Sequence, residues 1–154
     1  MSRLFRDVEG GPRCPHGSVV CIGAFDGLHL GHQALVRHTV ARARTIGLPA
    51  VVLSFEPLPR EFFAQAAPPP RLLLPHAKAE RLFALGAEQV GLLRFDRRLS
   101  SLTAEQFVAT VLVGRLSASE VWVGPEFRFG KGRAGDIALL QRMGDVHGFV
   151  AGEI

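Results

Sequence analysis

The sequence predicts an α/β protein, a parallel β-sheet with helices on both faces, and three observations lead there. Short, continuously apolar runs such as Ser18–Ile22 (SVVCI) and 50–55 (AVVLSF) read as strands buried on both sides. The segments between such runs change to a helical period. Strand then alternates with helix four times along the chain, and right-handed crossovers between parallel strands must return along one face or the other.

Each element follows in order. Over 33–46, Val36, Val40, Ala43 and Gly47 share a stripe while Arg37, His38 and Arg44 lie off it, which is the pattern of an amphipathic helix with a solvated face. Gly47-Leu48-Pro49 stops that helix and 50–55 is the second strand. The proline-rich stretch that follows, with Pro57, Pro59, Pro68, Pro69 and Pro70, is stiff and poor in backbone donors, so it reads as a long loop. Residues 76–85 read as a helix closed by Gly86, and 89–93 as a strand. Thr103 and Gln106 have capping-box spacing, opening a helix that runs to about Val113. Residues 120–123 (EVWV) form the next strand, with Trp122 in the core. A helix over 136–143 is stopped at Gly144, and Phe149-Val150 begin a fifth strand.

Composition bounds the rest. The 154 residues, 47% hydrophobic and 21% charged, suit one domain over 1–154 with one core. No apolar run approaches the ~20 residues of a bilayer span and no signal segment opens the chain, so a cytoplasmic protein without a membrane partner is expected. Cys14, in a polar leader beside Pro15, and Cys21 have no metal-like spacing around them; neither a disulfide, a zinc site nor a catalytic thiol is expected. A net charge of +4 is too small to require nucleic acid but suits anionic small molecules.

The stretch GAFDGLHLGH, residues 23–32, falls between the first strand and the first helix, at the carboxyl end of a parallel strand where open α/β sheets bind ligands. A helix starting near Gly31 presents unpaired N–H groups and the positive end of its dipole, which favours phosphate. Gly23, Gly27 and Gly31 let a nucleotide approach the backbone closely. His29 and His32, three apart, face the same ground, and an imidazole of pKa about 6.5 can give a phosphoryl oxygen a hydrogen bond or a positive charge. That is electrostatic rather than base catalysis. Two histidines do not complete a metal site, the H-E-x-x-H pattern is absent, and G-x-G-x-x-G does not match the glycine spacing. Capping of the helix by a histidine remains the structural alternative.

These residues also carry a resemblance. GAFDGLHLGH resembles the F-D-G-x-H-x-G-H form of the H-x-G-H nucleotidylyltransferase signature, in the version of the FAD synthetase module of bacterial bifunctional riboflavin kinase/FAD synthetases. SFEPLPREFF (54–63), RLLLPHAKAERLFALG (71–86) and VGPEFRFGKGRAGD (123–136) resemble three further segments of that module, in the same order. The resemblance implies the Rossmann-like sheet of that superfamily and adenylyl transfer from ATP, with Mg²⁺, to FMN, giving FAD and pyrophosphate. It implies His29 and His32 as catalytic residues. Gly23, Phe25, Asp26, Gly27, Gly31, Arg128, Lys131 and Arg133 are implied at ATP, and Phe55, Pro57, Phe63, Phe127 and Glu126 at FMN, with no direct metal ligand assigned.

The chemistry of these segments fits a flavin nucleotide. Phe55, Phe62, Phe63, Phe127 and Phe129 fall at loop positions near strand ends, where an isoalloxazine ring could be sandwiched; two or three of them are expected in the core. Arg128, Lys131 and Arg133, interleaved with Gly130, Gly132 and Gly135, suggest a flexible cationic loop for triphosphate. Asp136 caps the last helix or touches substrate. Asp26 orders the turn or the ATP site, with metal coordination left open. His16, His38, His76 and His147 are expected to face solvent. Leu58 stands where many relatives carry histidine, and Pro125-Glu126 replaces a pair that usually ends in aspartate. A later Ser-Ser-Thr-x-x-Arg segment and a downstream riboflavin kinase module are implied for the family but absent here, so the sequence reads as shortened at its C-terminal end. The alternatives are a flavin- or nucleotide-binding fragment with little turnover, and an adenylyltransferase for another phosphate ester.

Overall fold

In a computed structural model the described residues are 3–64 and 74–154. Pro68, Pro69, Pro70 and residues 71–73 of the second matching segment lie outside them. The strands are β1 (Leu4–Phe5), β2 (Ser18–Ile22), β3 (Ala50–Glu56), β4 (Gln89–Arg94), β5 (Ala118–Val123) and β6 (Val150–Glu153), in one sheet of order β1-β4-β3-β2-β5-β6. Every pairing is parallel. The helices are α1 (Leu30–Ile46), α2 (Pro59–Phe62), α3 (Pro75–Ala84), α4 (Arg97–Ser101), α5 (Ala104–Phe107) continued by a π-helical stretch Val108–Arg115, and α6 (Ile137–His147).

The apolar runs take the centre because successive side chains of a strand point to opposite faces, and only a sheet covered on both sides buries all of them. In β2, Val19 and Cys21 meet Leu35, Val36 and Val40 of α1 and Leu82 of α3. Val20 and Ile22 meet Phe107, Val111 and Leu112 of the α5 segment and Leu140 of α6. From β2 the chain winds outward through β3 to β4, then crosses back past β2 to β5. The strand order therefore reverses between β2 and β5, and the crevice at their carboxyl ends is where such sheets bind ligands.

The sheet and its two covered faces match the sequence reading, and the differences are local. The polar leader contributes β1, which pairs with β4. It is held there by buried Arg115, whose guanidinium donates to the carbonyls of Asp7 (2.5 Å), Glu9 (3.1 Å) and Gly11 (3.2 Å). The short helix α4 carries no sequence period of its own, only its cap, Asp96, accepting from the Leu99 N–H at 3.0 Å. Thr103 and Gln106 form the expected capping box. Gly144 does not stop the last helix: it lies inside α6, buried, where a Cβ would collide with the Phe149 carbonyl, and the left-handed cap is Gly148. Phe55 is a strand residue, not a loop residue. His38 does not face solvent; its ring packs edge-on against Trp122 at 4.4 Å and its Nε2 is buried without a hydrogen-bond partner.

Arg42 on α1, on the helix face read as fully solvated, grips Glu120 of β5 with two hydrogen bonds, 2.9 and 2.6 Å, and the Trp122 indole adds a third at 3.0 Å. The Arg42 bonds hold the Glu120 carboxyl below its ordinary range, against the opposing effect of burial. A carboxylate whose pKa is lower folded than unfolded adds stability above the unfolded value of about 4.3 and loses it as the pH falls through the folded one. Glu120→Gln is expected to lower the melting temperature at pH 7, with the gap to wild type closing below about pH 4 in thermal scans.

Candidate active site

Residues 23–29 turn the chain from β2 into α1 through three left-handed residues, Phe25 (φ 53°), Gly27 (φ 84°) and Leu28 (φ 44°). Phe25 and Leu28 adopt these costly angles because both side chains are buried in the core under α1. Gly23 is required by the same packing, since a Cβ there would lie 2.9 Å from the Phe25 ring. The Phe25 ring is therefore packed inside the fold under α1 and not exposed on the turn.

His29 is the N-cap of α1: its Nδ1 accepts from the N–H groups of Gly31 (3.1 Å) and His32 (3.3 Å). Two donors counted as free for phosphate are thus taken by the cap. The same bonds decide the tautomer. With Nδ1 accepting, the proton of the neutral ring sits on Nε2, which becomes a directed donor on an exposed side chain. His32 stacks on His29 with centroids 3.5 Å apart, and the Phe25 ring meets it edge-on at 5.4 Å. Desolvation, then His29, push the His32 pKa down, with Lys78 acting the same way and Asp26 opposing, and its Nδ1 is buried without a partner. Both effects disfavour the charged form of the His32 imidazole.

Beside this helix start opens a cavity of about 530 Å³. Phe55, Phe95, Phe107, Phe127 and Phe129 line it, with Phe63 at the rim of α2. Phe127 and Phe129 lie nearly parallel, centroids 5.7 Å apart, and Phe95 receives the edges of Phe55, Phe62 and Phe63 at 5.4 to 5.8 Å. Of the residues expected at ligands, Asp26, Phe55, Phe63, Glu126, Phe127, Arg128 and Arg133 line this cavity. His29, His32, Gly23, Phe25, Gly27, Gly31, Pro57 and Lys131 are not on its wall; Pro57 is exposed after a cis peptide bond. The site thus has two adjoining parts, an aromatic cavity and a histidine-capped helix start, joined by the turn that carries Ala24 and Asp26.

The cationic loop is ordered rather than flexible. Phe129 and Gly135 exchange backbone hydrogen bonds of 3.1 and 2.8 Å, the Lys131 N–H donates to Leu102 at 2.7 Å, and a single 3-10 turn, Lys131–Arg133, lies between. Asp136 is the N-cap of α6, accepting from the Leu139 N–H at 2.9 Å, and its other oxygen lies 3.8 Å from Arg128. Sequence reasoning missed Arg60, paired with Asp26 at 2.9 Å. It also missed Phe95, Leu99, Ser100 and Phe107 on the cavity wall. The signal for Phe107 was available in its place directly behind the capping box. Lys78, fully buried beneath the turn, was missed as well. Among the described residues no group of three or more His, Cys, Asp or Glu side chains is placed to hold a metal ion, and no helix is long and apolar enough to cross a membrane.

The FAD synthetase family matches residues 11–154. The chain is 41% identical over 148 residues to a bifunctional riboflavin kinase/FMN adenylyltransferase of Escherichia coli K12, covering 96% of this chain and 47% of that protein. It is 43% identical over 133 residues to the protein of the same description from Pseudomonas fluorescens, covering 86% and 42%. A putative enzyme of this description from Geobacillus thermodenitrificans is 40% identical, covering 82% and 68%. The chain thus spans about half the length of the first two relatives. A solved structure described as a macrolide-efflux protein of Streptococcus pneumoniae superposes with a TM-score of 0.80 at 28% identity, over 98% of this chain and 48% of that one.

Proposed function

The chain belongs to the FAD synthetase family, and from that premise we propose that it transfers the adenylyl group of ATP to FMN, releasing pyrophosphate and forming FAD. The observation that carries this reading is the juxtaposition of an aromatic cavity with a helix start capped by His29. The isoalloxazine ring lies in the cavity against Phe127, a flat apolar body in a box of flat walls. Its ribityl phosphate then extends past Asp26 toward α1. There a phosphate oxygen of FMN attacks the α-phosphorus of ATP in line, one P–O bond forms, the bond to the β-phosphate breaks, and pyrophosphate leaves with its electron pair.

The residues supply alignment and charge stabilisation rather than covalent chemistry. His29 Nε2–H donates to the oxygen on which charge gathers, and the positive end of the α1 dipole lies behind it. His32, whose charged form is disfavoured by burial, acts as a hydrogen-bonding partner beside it. Arg128 and Arg133, on the cavity wall, and Lys131 next to them take the triphosphate. A divalent cation carried by ATP would neutralise charge on the phosphates, and Asp26, the carboxylate of the turn, would help to hold it there. The relatives are described as bifunctional with a riboflavin kinase, and an activity of that kind would supply the FMN.

Incubation with FMN, ATP and Mg²⁺ is expected to yield FAD and pyrophosphate in equal amounts, separated and counted by liquid chromatography, with no product when EDTA removes the metal. FMN binding without any FAD would leave only a flavin-binding module.

A further inference from the structure

Behind the turn lies a charged cluster that the reaction just described does not use. Lys78 of α3 is completely buried. Its ammonium lies 2.7 Å from Glu56 Oε1 and donates to Ser54 Oγ (3.0 Å), the Ala24 carbonyl (3.0 Å) and the Phe55 carbonyl (3.3 Å). The Ser54 hydroxyl donates to the same Ala24 carbonyl at 2.8 Å. A buried ion pair costs several kcal/mol per ion in desolvation, and well-packed apolar residues often serve stability as well or better. The contacts of this pair converge on one place: the end of β3 and the first residue of the turn that carries Asp26. Ala24 is followed by Phe25, whose ring meets His32.

We propose that Lys78 is a positioning residue, a buried clamp that fixes the 24–26 turn to the end of β3 and through it places Asp26 and His32 for adenylyl transfer. The kinetic half of this inference rests on the function proposed above; the structural half does not. Lys78 is also among the groups that act on the His32 imidazole, after desolvation, His29 and Asp26.

The test is the pair of variants Lys78→Met/Glu56→Gln, which leaves no unpaired buried charge, and Ser54→Ala, which removes two clamp hydrogen bonds, the one accepted from Lys78 and the one donated to Ala24. In the folded double variant kcat for FAD formation is expected to fall on the order of 10- to 10²-fold, the scale of a small misplacement of reacting groups. KM for FMN is expected to change less than about threefold, because the ring's cavity walls remain. The His32 imidazole, followed by NMR, is expected to titrate at a different pH from wild type once the turn beside it is no longer held. Unchanged kcat together with an unmoved His32 titration would overturn the proposal. If the double variant does not fold, Ser54→Ala decides: a kcat loss of about threefold supports the clamp and none contradicts it. If the wild-type chain makes no FAD, the functional reading falls, and the His32 titration alone judges the clamp.

Discussion

Replacing His29 by alanine is expected to lower the rate of FAD formation at least ~10²-fold, the usual scale for losing one preorganised donor at a developing negative charge. The same change removes the N-cap of α1, at about 1 kcal/mol of stability, so alanine alone does not separate the two roles. Serine does. Its hydroxyl can accept from the Gly31 and His32 N–H groups as Nδ1 does now, but it leaves nothing where Nε2 stood. His29→Ser is therefore expected to recover most of the lost stability in urea unfolding and none of the lost turnover. Near-normal turnover in the serine variant would reduce His29 to a helix cap. His32→Ala is expected to show a similar rate loss, since it removes the partner stacked on His29.

Gly130→Ala is expected to be the most damaging single change in the cationic loop. Gly130 sits at φ 79°, and a Cβ there would lie 2.6 Å from both the backbone nitrogen and the Cα of Ala104. Ala104 is the first residue of α5 and cannot give way without disturbing the capping box that starts it. Strain of this kind together with overpacking costs about 2–4 kcal/mol. Because Arg128 and Arg133 flank the same loop, KM for ATP is expected to rise in step. Gly132 is the control: its φ of 66° is also left-handed, but a Cβ there meets nothing within 4 Å. Gly132→Ala is expected to cost about 1 kcal/mol. Equal unfolding midpoints for the two variants would show that the contact with Ala104 is not what holds the loop.

The parts of this site that are local in sequence could be read from it, and the parts made by distant residues could not. The turn after β2, the pair of histidines and the capping box at Thr103 are each specified within about ten residues, so their spacing carries their geometry. The cavity is assembled from α2, the β4–α4 connection, α5 and the loop after β5, and no local pattern announces that Phe95 or Ser100 will face Phe127. The rigidity of the cationic loop depends on a bond to Leu102, nearly thirty residues away, so Gly130 and Gly135 read as freedom when they are in fact close contacts. Lys78 left a faint trace. It falls one turn before Leu82, on the stripe that α3 buries, a position where a lysine needs a partner inside the protein. The leader strand β1 was hidden because two residues carry no period, and its place is set by Arg115 from the far side of the chain.

The most direct measurement is a crystal structure of this chain with FMN and a non-hydrolysable ATP analogue. The expected result has the flavin ring in the cavity against Phe127, and the α-phosphate within hydrogen-bonding distance of His29 Nε2 with the FMN phosphate in line behind it. A flavin ring outside that cavity, or an α-phosphate bound away from the start of α1, would contradict it.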